Sequence, residues 1–577
     1  MFLLLPFGLQ SQVQTQTQTQ TNQPAAVFKM AQLFDWIGRY YVDTVNVNRL
    51  SDNIIRKTLL ALDPDSLLIP KIMNDSFDTP LNRRSAVFKM ASLFENIVAH
   101  ADTINLDRLS EQIVRKTLQE LDPHSVYITK DEVRKMNEPL EGSFEGIGVT
   151  FNILNDTILI ISTVHGGPSE RVGISGGDKI IAVNGENVAG ISITNNDVQK
   201  KLKGPKGTEV TVNILRRGYP ELLTFRIVRD KIPFYSVDAA YKVTDGIGYI
   251  KLSRFAATSK KEFDDALRKL KKEGVTDLIL DLTGNGGGLM DASIDIANEF
   301  LDRDQLIVYT KGENSPRRDV RAIAKGDFTK GKLVLMIDQG SASASEILAG
   351  AVQDWDRGVI VGRRSFGKGL VQRQMMFADS SMLRLTVSRY YTPTGRSIQK
   401  PYNTKDDEYS SGLGSRMRTG ELTGEKSNTV ADSLKYQTLL KKRIVYGGGG
   451  ITPDIFVAVD TSHYSDYYRE LLGLGIFYRF ALNYVDQNRQ SLKRQYPTFE
   501  QFDRNFEVTE GILNELQDYA EEKGLARNPE MFAKSQQHLK LWLKGYIVRD
   551  LWEIADMYKV VNRENPIFLK AMEEIKK

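Results

Sequence analysis

The 577-residue sequence has no cysteine. That excludes disulfide staples, zinc–thiolate sites and a cysteine nucleophile, and is compatible with an oxidising compartment. Histidine is scarce: His100, His124, His165, His463 and His538 fall in separate regions, so no clustered imidazole metal site is expected. No run approaches the roughly 18 apolar residues of a membrane-spanning helix. Charge bias is missing too: 77 Lys+Arg against 73 Asp+Glu gives +4, too little to argue for a nucleic acid or a polybasic membrane anchor.

What remains is ordinary globular composition, 41% hydrophobic and 26% charged. At roughly 100–200 residues per domain the length allows about three to five domains. The N-terminal MFLLLPFGL (Met1–Leu9) reads as the apolar core of an export signal, without the usual cationic start. The Gln/Thr-rich Gln10–Gln23 that follows reads as a tether. An exported protein, periplasmic or cell-envelope associated, is expected.

A repeat comes next. AVFKMAQLFDWI (Ala26–Ile37) returns as AVFKMASLFENI (Ala86–Ile97), and Asn48–Ser66 matches Asp107–Ser125. Apolar residues at helical spacing, such as Val87, Met90, Leu93 and Phe94, predict a helical hairpin in each copy that ends at an Asp-Pro pair. Two copies are too few for a solenoid; packing or oligomerisation is the expected role.

From Gly142 to Asp230 the sequence turns β-rich. Strands are expected at Gly146–Phe151 and Asp156–Val164, and a closing hairpin at Thr208–Gly218 and Glu221–Val228. Gly166–Gly185 reads as short helix, Gly-Gly turn, strand and Asn-Gly turn. This segment resembles a PDZ domain of the bacterial protease type. The resemblance implies that the loop Gly146, Ile147, Gly148 and Val149 turns backbone N–H groups toward a peptide's terminal carboxylate, the peptide adding as a strand. Glycines permit that close approach to an anion.

After Lys231 strands and helices alternate in α/β layering. The strand Asp277–Leu282 runs into TGNGGGLM (Thr283–Met290), a glycine-rich helix approach that suits either a phosphate or an oxyanion. It is neither a dinucleotide fingerprint nor a Walker loop. The strand Lys332–Asp338 leads to SASASE (Ser341–Glu346). Ser343 and Glu346 there form either a helix-capping box or a nucleophile turn. A nucleophilic serine needs a base, and no His motif lies in this segment. Lys368, in FGKG (Phe366–Gly369), is placed to be buried and lose its proton. Lowering a lysine to about 7–8 costs roughly 3–5 kcal/mol. Gln372, four residues on, is placed to hydrogen-bond its amine.

The ordered set LDPHSVYI (Leu121–Ile128), the PDZ-like segment, LDLTGNGGGL, SASASEILAGAVQD, GKGLVQ, YYTPTGRSIQ and GITPDI resembles a carboxyl-terminal processing peptidase, or tail-specific protease, across most of Leu118–Pro453. The resemblance implies a Ser/Lys dyad: Ser343 as nucleophile, Lys368 as general base, Gln372 positioning the lysine, and the Gly287 and Ala344 N–H groups as the oxyanion hole. Thr283 and Gly286 depart from the family's usual Arg and Pro, and Gly286 is expected to loosen the loop.

The expected fold is α+β multidomain: a signal-like stretch and tether (1–23), a helical region with the duplicated unit (24–141), a PDZ-like module (142–230), a crotonase/ClpP-like α/β catalytic core (231–460) with an exposed polar insertion (403–442), and a helical C-terminal region (461–577). The expected activity is serine endopeptidase cleavage of exported proteins captured by their C-terminal tails, with no metal and no cofactor. Expected partners are proteins with free C-termini, a second copy through the helical ends, and an activating adaptor. Two rivals are an inactive PDZ scaffold that only binds peptides and a crotonase-like acyl-CoA enzyme. The PDZ-like segment and the lack of an evident CoA site weigh against the second.

Overall fold

The structure, a computed structural model, describes residues 8–62, 85–100, 105–402, 412–424 and 431–577. Met1–Phe7, the Asp63-Pro64 pair expected to end the first repeat, and parts of the 403–442 stretch lie outside the described residues.

Among the described residues the N-terminal region holds α1 (Gly8–Tyr40), α2 (Val47–Leu62), α3 (Ala86–His100), α4 (Leu106–Gln119) and a further helix, Lys130–Glu141. The backbone of α1 runs through the Gln/Thr-rich stretch read as a tether; Gln is a good helix former, so polarity alone does not stop it. Met30, Leu33, Phe34 and Ile37 of α1 and their repeats Met90, Leu93, Phe94 and Ile97 of α3 fill one core with Ile54, Leu59, Ile113 and Leu118. One strand interrupts the helices of this region ahead of Lys130–Glu141. Val126–Ile128 is a strand paired with Met382–Tyr391 of the catalytic core.

Ser143–Gly146 and Asp230–Pro233 pair antiparallel, so the chain enters and leaves the PDZ module side by side. Its main sheet runs in the order Val149–Leu154, Thr157–Thr163, Lys179–Val183, Glu209–Leu215, Leu223–Val228. Val149–Leu154 is therefore an edge strand.

The catalytic core is a six-stranded sheet whose spatial order equals its chain order: β1 (Val237–Thr244), β2 (Ile247–Leu252), β3 (Asp277–Asp281), β4 (Leu333–Ile337), β5 (Val359–Gly362) and β6 (Ile455–Phe456). All pairings are parallel except β1 with β2. Helices Ser259–Lys272, Met290–Asn298 and Ala344–Asp354 lie within the connections. Parallel strands need such crossovers, and both faces are then covered. Strand alternation sorts the two faces. Leu278, Leu280, Leu333, Leu335 and Ile337 meet those helices. Ile279, Val334 and Met336 meet Ile567, Phe568, Ala571 and Ile575 of the final helix, Pro566–Lys576. The C-terminal boundary at 461 is thus corrected: the last helix leaves the helical domain and forms the second layer of the catalytic sheet. A second, antiparallel sheet is built around Met382–Tyr391, which pairs with Leu370–Met376, Leu306–Gly312 and Val126–Ile128.

Two further expectations need revision. The polar 403–442 stretch is not uniformly exposed. Arg416 and Glu421 join Arg364 in a half-buried ion cluster, and Leu422 is buried. Opposite charges that satisfy one another make burial of such a stretch tolerable. The histidines are not all apart either: His463 and His538 stack at 3.8 Å in the C-terminal helices, brought together by packing rather than sequence. Those helices also hold the PDZ module, through Lys179 to Asp486 (2.8 Å) and Leu482 packed on Leu154, Leu159 and Ile161. Among the described residues no helix is long and apolar enough to cross a membrane.

Candidate active site

Two loops at the C-terminal ends of β3 and β4 meet. In the first, Lys251 from β2 reaches Asp281 (3.0 Å) and the Thr283 carbonyl and hydroxyl (2.5 and 3.0 Å). A buried cation thus anchors the loop although position 283 is threonine. Asn285, fully buried, donates its amide to the Leu252 carbonyl (2.9 Å). The Asn285 carbonyl accepts from Ala342 N–H (3.0 Å) and Ser345 Oγ (2.8 Å), which straps the glycine loop to the serine turn.

Ser343 begins the helix Ala344–Asp354 with φ +55° and ψ −111°. A non-glycine residue held there stores about 1–3 kcal/mol of strain, and active sites are where such strain collects. Glu346 restrains it. Its carboxylate, fully buried, accepts Ser343 N–H (2.8 Å) and Lys368 N–H (2.9 Å) on one oxygen. The other oxygen accepts Gly367 N–H (2.7 Å) and Ser365 Oγ (2.5 Å). Burial raises the Glu346 pKa; the hydrogen bonds oppose that rise. Tyr390 adds a second tie, its hydroxyl lying 3.0 Å from the Ser343 carbonyl and 2.6 Å from that of Lys368.

The Lys368 amine hydrogen-bonds Gln372 Oε1 at 3.3 Å, not Ser343 Oγ. Gln372 is oriented in turn by donating to the His124 carbonyl (2.6 Å). Burial holds the Lys368 pKa below the ordinary lysine value, and the charge of Arg384 lowers it further against the opposing pull of Asp122 and Glu346. His124 comes from the N-terminal region, so the segment that lacked a histidine in sequence has one in space. Burial and the Lys368 and Lys400 charges push it down to about 3. An imidazole so weakly basic is neutral at ordinary pH.

Gly287 (φ +100°) abuts the serine turn: a Cβ there would come within 2.8 Å of Ser343 Cβ and 3.0 Å of the Ala344 nitrogen. The Gly287 N–H, expected to serve the oxyanion hole, has a partner within its own loop. It already donates to Asn285 Oδ1 at 2.9 Å, because that side chain turns back on its own loop. Ala344 is the first residue of its helix, where backbone N–H groups have no intrahelical acceptor. Gly286 is exposed, lies outside the left-handed region, and a Cβ on it would meet nothing within 4 Å.

In the PDZ module, Ile147 packs into the core and its carbonyl accepts Ser169 N–H (3.0 Å) and Oγ (2.7 Å). Gly148 turns the chain at φ +75°, and Val149 opens the edge strand. Among the residues not singled out from sequence, Tyr390, His124 and Asn285 stand in the site. Glu346 was singled out, but only as a cap.

Comparison with known proteins gives three family-model matches: peptidase family S41 over residues 246–409, a PDZ domain over 135–215, and a family of unknown function over 467–553. A carboxy-terminal-processing protease of Bartonella bacilliformis is 34% identical over 366 residues, 60% of this chain and 83% of that protein. The carboxy-terminal processing protease CtpB of Bacillus subtilis is 35% identical over 323 residues, covering 55% of this chain and 66% of that one. Among solved structures, a photosystem II D1 C-terminal processing protease is similar at 26% identity, over 65% of this chain and 90% of that chain, with a TM-score of 0.35. The fold is that of a PDZ-bearing peptidase with helical regions at both ends. The chain belongs to the carboxy-terminal processing proteases of peptidase family S41.

Glu346→Gln keeps the shape but faces an amide N–H₂ toward two of the four donors. Each donor stranded costs about 1–3 kcal/mol. A lower unfolding midpoint together with lost turnover is expected; unchanged values of both would show that the clamp is dispensable. The adjacent glycines should behave oppositely. Gly287→Ala should abolish turnover through its clash with Ser343. Gly286→Ala, free of contacts, should keep activity and gain about 0.4–1 kcal/mol of stability in urea titration.

Proposed function

We propose that the chain is a serine endopeptidase working by a Ser343/Lys368 dyad on exported proteins whose C-terminal tails its PDZ module captures. The observation that carries this reading is the buried Glu346 carboxylate, which joins the backbone of Ser343 to that of Lys368. No structural need of an isolated helix cap explains the second half of that clamp.

In this mechanism the neutral Lys368 amine exchanges Gln372 for Ser343 Oγ when substrate docks, and takes the hydroxyl proton. The oxygen attacks the scissile carbonyl carbon, and the developing oxyanion is met by Ala344 N–H and by Gly287 N–H released from Asn285. The C–N bond breaks as Lys368 returns the proton to the leaving amine, giving an acyl-enzyme. Water then repeats the sequence, with Lys368 as base, to free the carboxylate. Gln372 positions the amine between steps. The loop Gly146, Ile147, Gly148 and Val149 receives the terminal carboxylate, and the tail extends the sheet along the edge strand that Val149 opens. The module's dock on the C-terminal helices holds it beside the core. Export to the periplasm or cell envelope is part of this proposal, as are an activating adaptor and the use of neither metal nor cofactor.

The test is turnover of an unfolded reporter with a free apolar C-terminus, beside its C-terminally amidated twin. Loss of cleavage in both Ser343→Ala and Lys368→Ala, with slower cleavage of the amidated twin, is expected. Full turnover by Lys368→Ala would sink the dyad, and tail binding without any turnover by the unaltered chain would favour the scaffold reading.

The pH profile gives a separate check. A depressed Lys368 pKa means that kcat/KM rises with pH through a value below that of free lysine. His124, neutral from about pH 4 upward, adds no limb between pH 5 and 8. Arg384→Gln removes a positive neighbour, which favours protonated Lys368, so the limb should move to higher pH. A limb that stays put would show that Arg384 does not tune the base.

A further inference from the structure

The duplicated helical unit folds in an unusual way. Within each copy the two helices barely touch; each copy packs mainly on the other. α1 lies against α3 and α4, and α2 lies against α3 and α4. Equivalent residues take equivalent places. Met30 and Met90, Leu33 and Leu93, Phe34 and Phe94, and Ile54 and Ile113 are all buried in the one shared core.

The polar contacts repeat as well. Asn46 Oδ1 and Asn105 Oδ1 each cap the next helix at 3.0 Å, and Ser51 Oγ and Ser110 Oγ each donate to a carbonyl three residues back at 2.7 Å. Lys89 of the second copy pairs with Asp52 of the first (2.5 Å). In the reverse sense Lys29 of the first copy reaches Glu111 of the second only through the Tyr127 hydroxyl, at 3.1 and 3.3 Å, its direct ion pair being with Asp379 of the core at 2.6 Å. Residue i meeting j while the counterpart of j meets the counterpart of i is the signature of a two-fold, self-complementary interface.

The copies are not equivalent where they touch the catalytic core. The first gives its corner: Val42 N–H donates to the Thr386 carbonyl (3.0 Å), and Asp43 accepts both Arg389 N–H groups (2.7 and 2.8 Å). The second gives its end turn: Ser125 Oγ accepts Thr386 N–H (3.1 Å), Asp122 accepts the Thr386 hydroxyl (3.1 Å), and the His124 carbonyl holds Gln372. Thr386 stands opposite Gln372 across the strand pair. The base-bearing wall is therefore braced from both copies at once.

We infer that the N-terminal bundle is a homodimerisation module closed within a single chain, its first copy standing where the unit of a second chain would dock to complete the Lys368 wall. Neither copy can bury its apolar stripe on itself, so a chain with one copy must take the missing half from a partner of the same sequence. The tandem copy removes that need and makes completion of the wall independent of concentration.

The experiment uses a chain that starts at Ser85, beside the full chain, and a synthetic peptide of residues 24–62 with a scrambled control. Mass is read by light scattering, and turnover by the reporter above. The shortened chain should show twice the full chain's subunit number. Its turnover should fall by roughly tenfold or more on dilution, since a small displacement beside a catalytic group has effects of that order. The 24–62 peptide, but not the scrambled one, should bind, undo the doubling and restore turnover. A shortened chain with the full chain's subunit number and thermal transition overturns the inference, as does one that fails to capture the peptide. Capture without doubling also overturns it, since the surface would then accept only the first copy. The activity readout rests on the peptidase reading above, whereas mass and capture do not, so failure of one is distinguishable from failure of the other.

Discussion

The site depends on one buried carboxylate. The two oxygens of Glu346 accept from three backbone N–H groups and one hydroxyl. Such a group is costly to bury and stays only because every lone pair it presents is used. The return is geometric. Ser343 sits in a strained conformation that a free helix start would relax, and Lys368 lies on an irregular loop between β5 and the second sheet. Bound to the same oxygen, neither backbone can drift without stranding a buried donor. Tyr390, beside both carbonyls, fixes the same two residues from the opposite side of their peptide units.

This clamp works only on a rigid frame, and the sheet supplies one. β3 and β4 carry the glycine loop and the serine turn on adjacent parallel strands, so the two loops emerge side by side at the same end. The Asn285 carbonyl then couples them directly. Burying both sheet faces needs apolar residues at every strand position, as in LVLMI of β4, and a second layer to cover the far face. The final helix provides that layer. The far C-terminus is thereby part of the catalytic domain in packing, although it lies beyond the helical domain in sequence.

What could be read in advance followed the range of the interaction. The serine and lysine stand in short strings whose neighbours announce a tight turn, and the strand and helix periods are local. Ser343 and Glu346, three residues apart, were legible as a pair, but the local reading stopped at a cap. The other half of the carboxylate's contacts, to Ser365, Gly367 and Lys368, comes from a different strand connection. Tyr390, Asn285 and His124 enter by tertiary packing alone, and nothing in their own neighbourhoods singles them out. Gly287 shows the opposite failure. Its glycine is required by the close approach of Ser343, as the pattern suggested, yet its donor is spoken for by an asparagine two residues earlier. The polar stretch near 416–421 misled because charge was read as exposure, whereas Arg364, Arg416 and Glu421 satisfy one another within the fold.

Lys368 and its wall tie these layers together. Burial holds the Lys368 pKa below the ordinary lysine value, and an amine so placed is best partnered by a group that brings no charge. Gln372 meets that need: it accepts a hydrogen bond without adding charge, and it is held by a carbonyl rather than an ionisable side chain. His124 holds Gln372 by its backbone carbonyl, and its ring stays neutral in the same desolvated environment. The wall's precision then rests on the Leu370–Met376 and Met382–Tyr391 pair, which two helical copies grip at Thr386 from its N–H side and its carbonyl side. Met382–Tyr391 is already paired along its length with Leu370–Met376, Leu306–Gly312 and Val126–Ile128. The contacts at Thr386 add to that pairing from both sides, which gives the duplicated helical unit a physical reason to exist beside Lys368.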